Sequence, residues 1–330
     1  MEHQQQTNNG SNNNNNINTI IDSDKCQKVK RFIIIGLLVT IGILGYHFYE
    51  YFHGKPLPKA PQDMLSLSKE LYSEEMAQSP YLFKVNLQGK TRAGAHDDKA
   101  PEPLFVLHND LLATDSNSTT TLMRRLFNNY ELDVSVPDHV TPEHEEEQHE
   151  FLRAVLNTRQ MKLSMRYLVS KDIVKDDYDA QMQLLKELWF TPYSRGNNII
   201  GSSSFEHVFM AEIRDQRVLG LHNWIYFAEQ EQLGHVDYKG WLKRVDLGRP
   251  QQFILAFRST FHNLPKGYNS FLVGTSPELE LSLYTVCFLT TAEKEPCAVQ
   301  LGPAKLFIVT HVWNWKGKRL IASAYTDIQD

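Results

Sequence analysis

The spacing of apolar positions changes character four times along the chain. Residues 1–31 are almost without apolar anchors and contain the polar runs Gln4-Gln5-Gln6 and Asn12–Asn16. Such a stretch buries too little apolar surface to offset its ordering entropy, and it is expected to be a disordered tail. The pattern then inverts. From Phe32 to Tyr46 the chain is apolar and uncharged, and the run continues through His47 and Phe48 toward Phe52, with Tyr46, Tyr49 and Tyr51 as interfacial aromatics. The fully apolar stretch falls slightly short of the roughly 20 residues that cross a bilayer as a helix, and the aromatics extend it to 32–52.

Lys25, Lys28, Lys30 and Arg31 precede this run and Glu50 lies near its end. The excess of cations on the amino side predicts a signal-anchor whose N-terminus is cytosolic, with all that follows lumenal or extracellular. A cleaved leader fits less well, because its basic region would be unusually long and no small-residue cleavage pattern follows. Pro56, Pro58 and Pro61 make 53–62 a stiff spacer.

Beyond Asp63 the spacing becomes helical: Met64, Leu67, Leu71 and Tyr72 recur on one face behind a capping aspartate. Further helices are predicted over 120–129, from Thr141-Pro142-Glu143 to about Leu156, and over 160–169 and 177–190. After residue 205 the runs become strand-like, at Phe205–Ile213, Phe253–Phe257, Ser270–Gly274, Lys305–Val312 and Leu320–Tyr325, interrupted by a helix opened by Ser276-Pro277-Glu278. The expectation is an α+β domain over 63–330, with a helical first lobe (about 63–198) and a β-rich second lobe (199–330).

Composition changes little in this picture. A 42% hydrophobic and 22% charged chain is an ordinary globular one. A net charge of -5 excludes a broad basic footprint, so any RNA would be gripped locally. The three cysteines, Cys26, Cys287 and Cys297, have no zinc spacing. Cys287 reads as a buried thiol in an apolar helix and Cys297 as a loop residue, with a disulfide between them left open. Asn117-Ser118-Thr119 is an N-glycosylation sequon on the predicted lumenal side, at Asn117. His144 and His149, five apart within an acidic helix, do not share a face and are read as solvated.

The candidate chemistry lies in Gly201–Phe227. His207 falls in mid-strand by its alternation with Phe205 and Phe209, and the same alternation turns Glu206 and Glu212 away from it. His222 follows a turn around Asp215–Arg217, and a hairpin-like return would bring the two imidazoles together. Two histidines suit cleavage of RNA by its own 2′-hydroxyl, which needs a base for the nucleophile and an acid for the departing 5′-oxygen. A lysine would stabilise charge on the phosphate oxygens. Lys266, in Pro265-Lys266-Gly267, has the right residue type.

The segment GSSSFEHVFMAEIRDQRVLGLHNWIYF resembles the signature of the EndoU family of poly(U)-specific endoribonucleases. So, in family order, do Asn86–Thr91, Pro103–Phe105, Tyr167–Lys171, Val236–Gly240 and Gly274–Glu278 through Tyr284–Phe288. The resemblance covers roughly 63–328. It implies His207, His222 and Lys266 as the catalytic set, with His222 the base and His207 the acid, and Glu206 and Glu212 in support. It also implies Ser270 and Tyr325 as uracil contacts, and cleavage of single-stranded RNA at uridylates to leave 2′,3′-cyclic phosphate and 5′-hydroxyl ends. Manganese, or alternatively calcium, is the ion the resemblance suggests, with no ligand set legible, and a monomer is expected. The chain departs from the family pattern at Ser204 and at Phe261-His262-Asn263, ahead of Lys266. The competing expectation is an inactive membrane-tethered RNA-binding or membrane-shaping protein of the same fold.

Overall fold

In a computed structural model, residues 34, 35, 38–41, 43, 59–78, 83–107, 118–293 and 295–328 are described. Five α-helices of the first half open on a residue whose side chain accepts a bond from the first turn, as the sequence suggests for Asp63 and Thr141. Asp63 caps α1 (Met64–Ala77), Ser118 caps α2 (Thr119–Arg125), and Thr141 caps α3 (Pro142–Asn157). Thr158 caps α4 (Arg159–Ser170) and Asp177 caps α5 (Tyr178–Phe190). Two short strands, β1 (Phe83–Val85) and β2 (Phe105–Leu107), form a hairpin before α2 that the apolar spacing did not reveal.

The second half carries α6 (Ser204–Phe209), β3 (Ala211–Arg214), β4 (Arg217–Gly220) and α7 (Trp224–Gln232). A three-stranded antiparallel sheet follows, made of β5 (Val236–Arg249), β6 (Gln252–Phe261) and β7 (Leu264–Val273) in that order. After α8 (Pro277–Thr290) comes a second one, β8 (Cys297–Leu301), β9 (Ala304–Trp315) and β10 (Lys318–Asp327). The predicted strands at 253–257, 305–312 and 320–325 fall within longer ones, and 270–274 covers the end of β7 and overruns it at Gly274.

Pro58–Asp330 forms one compact unit and Met1–Leu57 another. Within the larger, helices and sheets interlock. Tyr72 of α1 donates its hydroxyl to the Leu247 carbonyl at 2.9 Å, and the Glu75 carboxylate accepts from Ser276 N at 2.9 Å and Ser276 Oγ at 2.6 Å. Phe83 stacks on Trp224 at 4.8 Å, and Phe105, Phe227, Phe257 and Phe271 complete an aromatic core against the first sheet. Cys287 and Cys297 are joined by a disulfide. The free-thiol reading of Cys287 is thus corrected, and Cys297 opens β8 instead of lying in a loop.

The tail (1–31), most of the 32–52 anchor and Asn117 of the sequon lie outside the described residues. Among the described residues no helix is long and apolar enough to cross a membrane. The described apolar residues of the 32–52 run, Ile34, Ile35, Leu38, Val39, Ile41 and Ile43, are helical and each more than half exposed.

Candidate active site

His207 sits in a helix and not in mid-strand. Ser203-Ser204-Phe205-Glu206 has the spacing of a capping box, and Ser203 Oγ accepts from Glu206 N at 3.2 Å. Phe205 and Phe209 stack at 5.3 Å as an i,i+4 pair, a pattern that coincides with strand alternation over so short a stretch. The capping box was the signal that distinguishes the two.

The helix assignment reverses the expectation for Glu212. The chain leaves α6 at Met210 and enters β3, which carries Glu212 back to His207; His207 Nδ1 lies 2.5 Å from Glu212 Oε2. The same oxygen is 2.8 Å from Arg195 Nε, and Ser202 Oγ donates to Glu212 Oε1. Arg195, which the sequence reading missed, also donates to Tyr193 Oη at 2.9 Å and to the Ala322 carbonyl at 2.8 Å. Its guanidinium lies over the Tyr193 ring at 5.2 Å and the Trp313 ring at 6.0 Å. Nothing in the local pattern around Tyr193-Ser194-Arg195 marks it, because its partners come from β3 and β10.

Burial raises the Glu212 pKa, but His207 and Arg195 outweigh it and hold the carboxyl below the usual carboxylate range. His207 is itself shifted down, by burial first and then by Arg195, against the opposing pull of Glu212. Glu206 is fully buried without a hydrogen-bond partner for either oxygen among the described residues. Burial, then Glu212 and Asp138, push its pKa well up.

The β3–β4 hairpin turns through Asp215 and Gln216, both at positive φ (49° and 59°), as a tight two-residue turn requires. At its far end Gly220, at φ +68°, passes so close that a Cβ there would lie 1.9 Å from the His207 carbonyl oxygen. Leu221 follows at φ +67°, a costly conformation for a side chain of its size. It is held by Leu221 N donating to the Met210 carbonyl at 2.7 Å, with His222 N donating to the Val208 carbonyl at 3.2 Å. The result is a His207–His222 ring separation of 6.2 Å.

His222 Nδ1 lies 3.3 Å from the Ser270 carbonyl, which can only accept, so Nδ1 carries the proton and Nε2 the lone pair. Burial, followed by Lys266 and His207, holds its pKa well below that of free imidazole. Lys266 is half-buried with Nζ 3.4 Å from the Val218 carbonyl, and burial brings its pKa down to about 8. The Tyr325 ring stacks on His222 at 5.1 Å, and the His311 ring lies 5.9 Å from it, with His311 Nε2 3.4 Å from the Tyr325 hydroxyl. The Ser270 hydroxyl donates to the Thr326 carbonyl at 2.6 Å.

The structure thus gathers His207, His222, Lys266, Glu212, Ser270 and Tyr325 at the junction of α6, β3, β4, β7 and β10, with Glu206 buried within α6. For manganese or calcium the residues do not fit. Among the described residues no three His, Cys, Asp or Glu side chains converge on a common point, and His207 and Arg195 already engage Glu212. On α3, Glu147 and Glu150 pair with Arg125 while His149 is exposed.

Residues 63–326 match the family model described as Endoribonuclease XendoU. The chain is 67% identical to the uridylate-specific endoribonuclease EndoU of Drosophila melanogaster, over 93% of this chain and 95% of that protein. It is 36% identical to poly(U)-specific endoribonuclease-A of Xenopus laevis, over 74% of this chain and 85% of that one. Among solved structures it is similar to XendoU, a splicing-independent snoRNA-processing endoribonuclease. That match has 33% identity and a TM-score of 0.67, and covers 82% of this chain and 97% of the other.

Proposed function

The chain belongs to the XendoU endoribonuclease family, and from that premise we propose how its side chains divide the work of cleaving RNA at uridylates. The single observation that carries the division is the pair of imidazoles 6.2 Å apart with different partners on Nδ1. His222, whose Nδ1 proton faces a neutral carbonyl, presents a free lone pair and a depressed pKa. It takes the proton of the 2′-hydroxyl. The oxygen then attacks the adjacent phosphorus, the bond to the 5′-oxygen breaks, and a 2′,3′-cyclic phosphate forms.

His207, bonded through Nδ1 to an ionised carboxylate, is the better proton donor, and it protonates the departing 5′-oxygen from Nε2. Glu212 keeps the imidazolium accessible and Arg195 keeps Glu212 ionised; both are positioning residues. Lys266 offers its cation to the non-bridging phosphate oxygens where charge develops. No step passes through a metal, and a divalent ion enters this reading only as a companion of the RNA phosphates.

For uracil, Tyr325 supplies the ring and Ser270 an acceptor. Its only hydroxyl proton is directed to Thr326, so the free lone pairs of Oγ match the N3–H of the base. Glu206, fully buried within α6, supports the helix that carries His207. The test is digestion of a single-uridine oligonucleotide. Cyclic phosphate ends and complete protection by 2′-deoxy substitution at that uridine support the mechanism, and cleavage of the deoxy substrate overturns it.

The signal-anchor over 32–52, with the nuclease region 63–330 lumenal or extracellular, is part of the same proposal. Its supports are the basic-then-apolar pattern, the exposed apolar residues between Ile34 and Ile43, and a disulfide of the kind that persists in oxidising compartments. Asn117, as a glycan acceptor, would require that side of the membrane. The protein is read as a monomer.

A further inference from the structure

The loop from Gly89 to Lys99 takes no part in the site described above, yet it is built as a fixed platform. Gly89 N donates to the Lys99 carbonyl at 2.9 Å, and Thr91 N to the Trp241 carbonyl at 2.8 Å. Arg258, nearly buried, donates to Thr91 Oγ1 at 2.9 Å and to the Asp97 carbonyl at 3.3 Å. Lys239 Nζ holds Asp98 at 2.6 Å. The loop surrounds an open cavity of about 670 Å³ lined by Lys90, Thr91, Arg92, His96, Asp97 and Lys99.

The charges around this cavity do not cancel. Asp97 pairs with Lys99 at 2.8 Å, and Asp98 and Asp237 both pair with Lys239. Lys90 and Arg92 are exposed and have no carboxylate partner among the described residues. Lys90 Nζ rests over the Trp241 indole at 4.8 Å, which holds the ammonium in place while leaving it uncompensated. In a chain of net charge -5, two uncompensated cations on a rigid rim are a local anion-binding surface.

The sheet links this rim to the reaction. Trp241 on β5 pairs with Phe257 on β6, which pairs with Asn269 on β7; in the next row Tyr238 pairs with Ser259 and Ser259 with Lys266. Two strand spacings, about 10 Å, therefore separate the loop's attachment from the strand bearing Lys266 and Ser270. We propose that Lys90 and Arg92 form a second RNA-contact site that holds the phosphate backbone of nucleotides flanking the cleaved uridylate. The partner is a polyanionic single strand, and the contact adds affinity without touching the reacting atoms. This proposal rests on the nuclease reading above.

The test compares the full chain with its Lys90→Ala/Arg92→Ala variant on two substrates, a uridylyl dinucleotide and a long oligouridylate. Binding of an uncleavable oligodeoxyuridylate is measured over a salt series. The expected result is an unchanged kcat on both substrates and an unchanged KM for the dinucleotide. The KM for the long strand rises severalfold, and the slope of log K against log salt becomes shallower by about 1.4, two single-strand phosphates' worth. The charge-keeping Lys90→Arg/Arg92→Lys variant behaves as wild type.

Equal loss on dinucleotide and long strand, or an unaltered salt slope, overturns the proposal. So does a variant that loses binding to phosphatidylserine vesicles and keeps its binding to the oligonucleotide. Because binding of the uncleavable strand is read independently of turnover, failure of the nuclease reading shows as a wild-type protein that binds and never cuts. Failure of this proposal shows as a salt slope that the substitutions leave unmoved.

Discussion

At the scale of single residues, the carboxylate behind His207 carries the most specific consequence. Glu212 raises the His207 pKa against burial and Arg195, so its removal leaves the imidazole harder to protonate. For Glu212→Gln we expect the alkaline limb of the kcat profile to move to lower pH, with a loss of about 10²-fold at neutral pH. An unmoved limb in a folded variant would place Glu212 outside the mechanism. His207 and His222 stood out as candidates because the signature segment carries both. Arg195 was not legible: it is an isolated arginine in sequence, and its meaning arises only when β3 brings Glu212 and β10 brings the Ala322 carbonyl to it.

At the scale of elements, α6 shows why a strand was expected and a helix formed. Phe205, His207 and Phe209 satisfy a period of two, while Phe205 and Phe209 also satisfy i,i+4; six residues are too few for periodicity to decide. The cap at Ser203 decides it. The helices from α1 to α5 were readable because their caps and apolar faces extend over more than two turns each in most cases, whereas β1, β2 and β8 are three to five residues long and take their stability from partners distant in sequence.

The β3–β4 hairpin yields a second prediction. Gly220→Ala would place a methyl against the His207 carbonyl at a φ that disfavours alanine, and a destabilisation of about 2 kcal/mol or more is expected in chemical denaturation. Wild-type stability would show that the hairpin approaches α6 less closely.

A third prediction concerns α8. Glu280, fully buried, accepts from Thr275 Oγ1 at 2.8 Å, and burial raises its pKa to about 8. A raised pKa means the folded state holds the proton more tightly than the unfolded one. The associated stability is complete below the ordinary value of 4.5 and is lost as pH rises through about 8. Glu280→Gln should therefore show a flatter decline of Tm across that window than wild type; parallel curves would remove Glu280 as the cause.

At the scale of the whole molecule, the mixed helix-and-sheet fold followed from the sequence in outline, but the interlocking of its halves did not. Tyr72, Glu75 and Ser68 on α1 bond to Leu247, Ser276 and Gln300, links across more than 170 residues that no local pattern encodes. The two sheets meet at Ser270 and Thr326, and that junction sets His222 beside Tyr325. The signal-anchor proposal belongs at this scale too. In sealed microsomes the region after residue 53 should resist added protease until detergent is present; digestion without detergent would put the nuclease on the cytosolic side.

The central claim is the division of labour between His222 as base and His207 as acid, and a substrate whose leaving group needs no proton separates them. Cleavage rates are measured for His207→Ala and His222→Ala on a uridine 3′-phosphodiester carrying either a natural 5′-nucleoside or a p-nitrophenyl leaving group. Both variants should be slowed on the natural substrate by on the order of 10² to 10⁴. With p-nitrophenolate departing, His207→Ala should recover most of the wild-type rate while His222→Ala remains slow. Recovery of His222→Ala in place of His207→Ala, or equal behaviour of the two, would contradict the assignment.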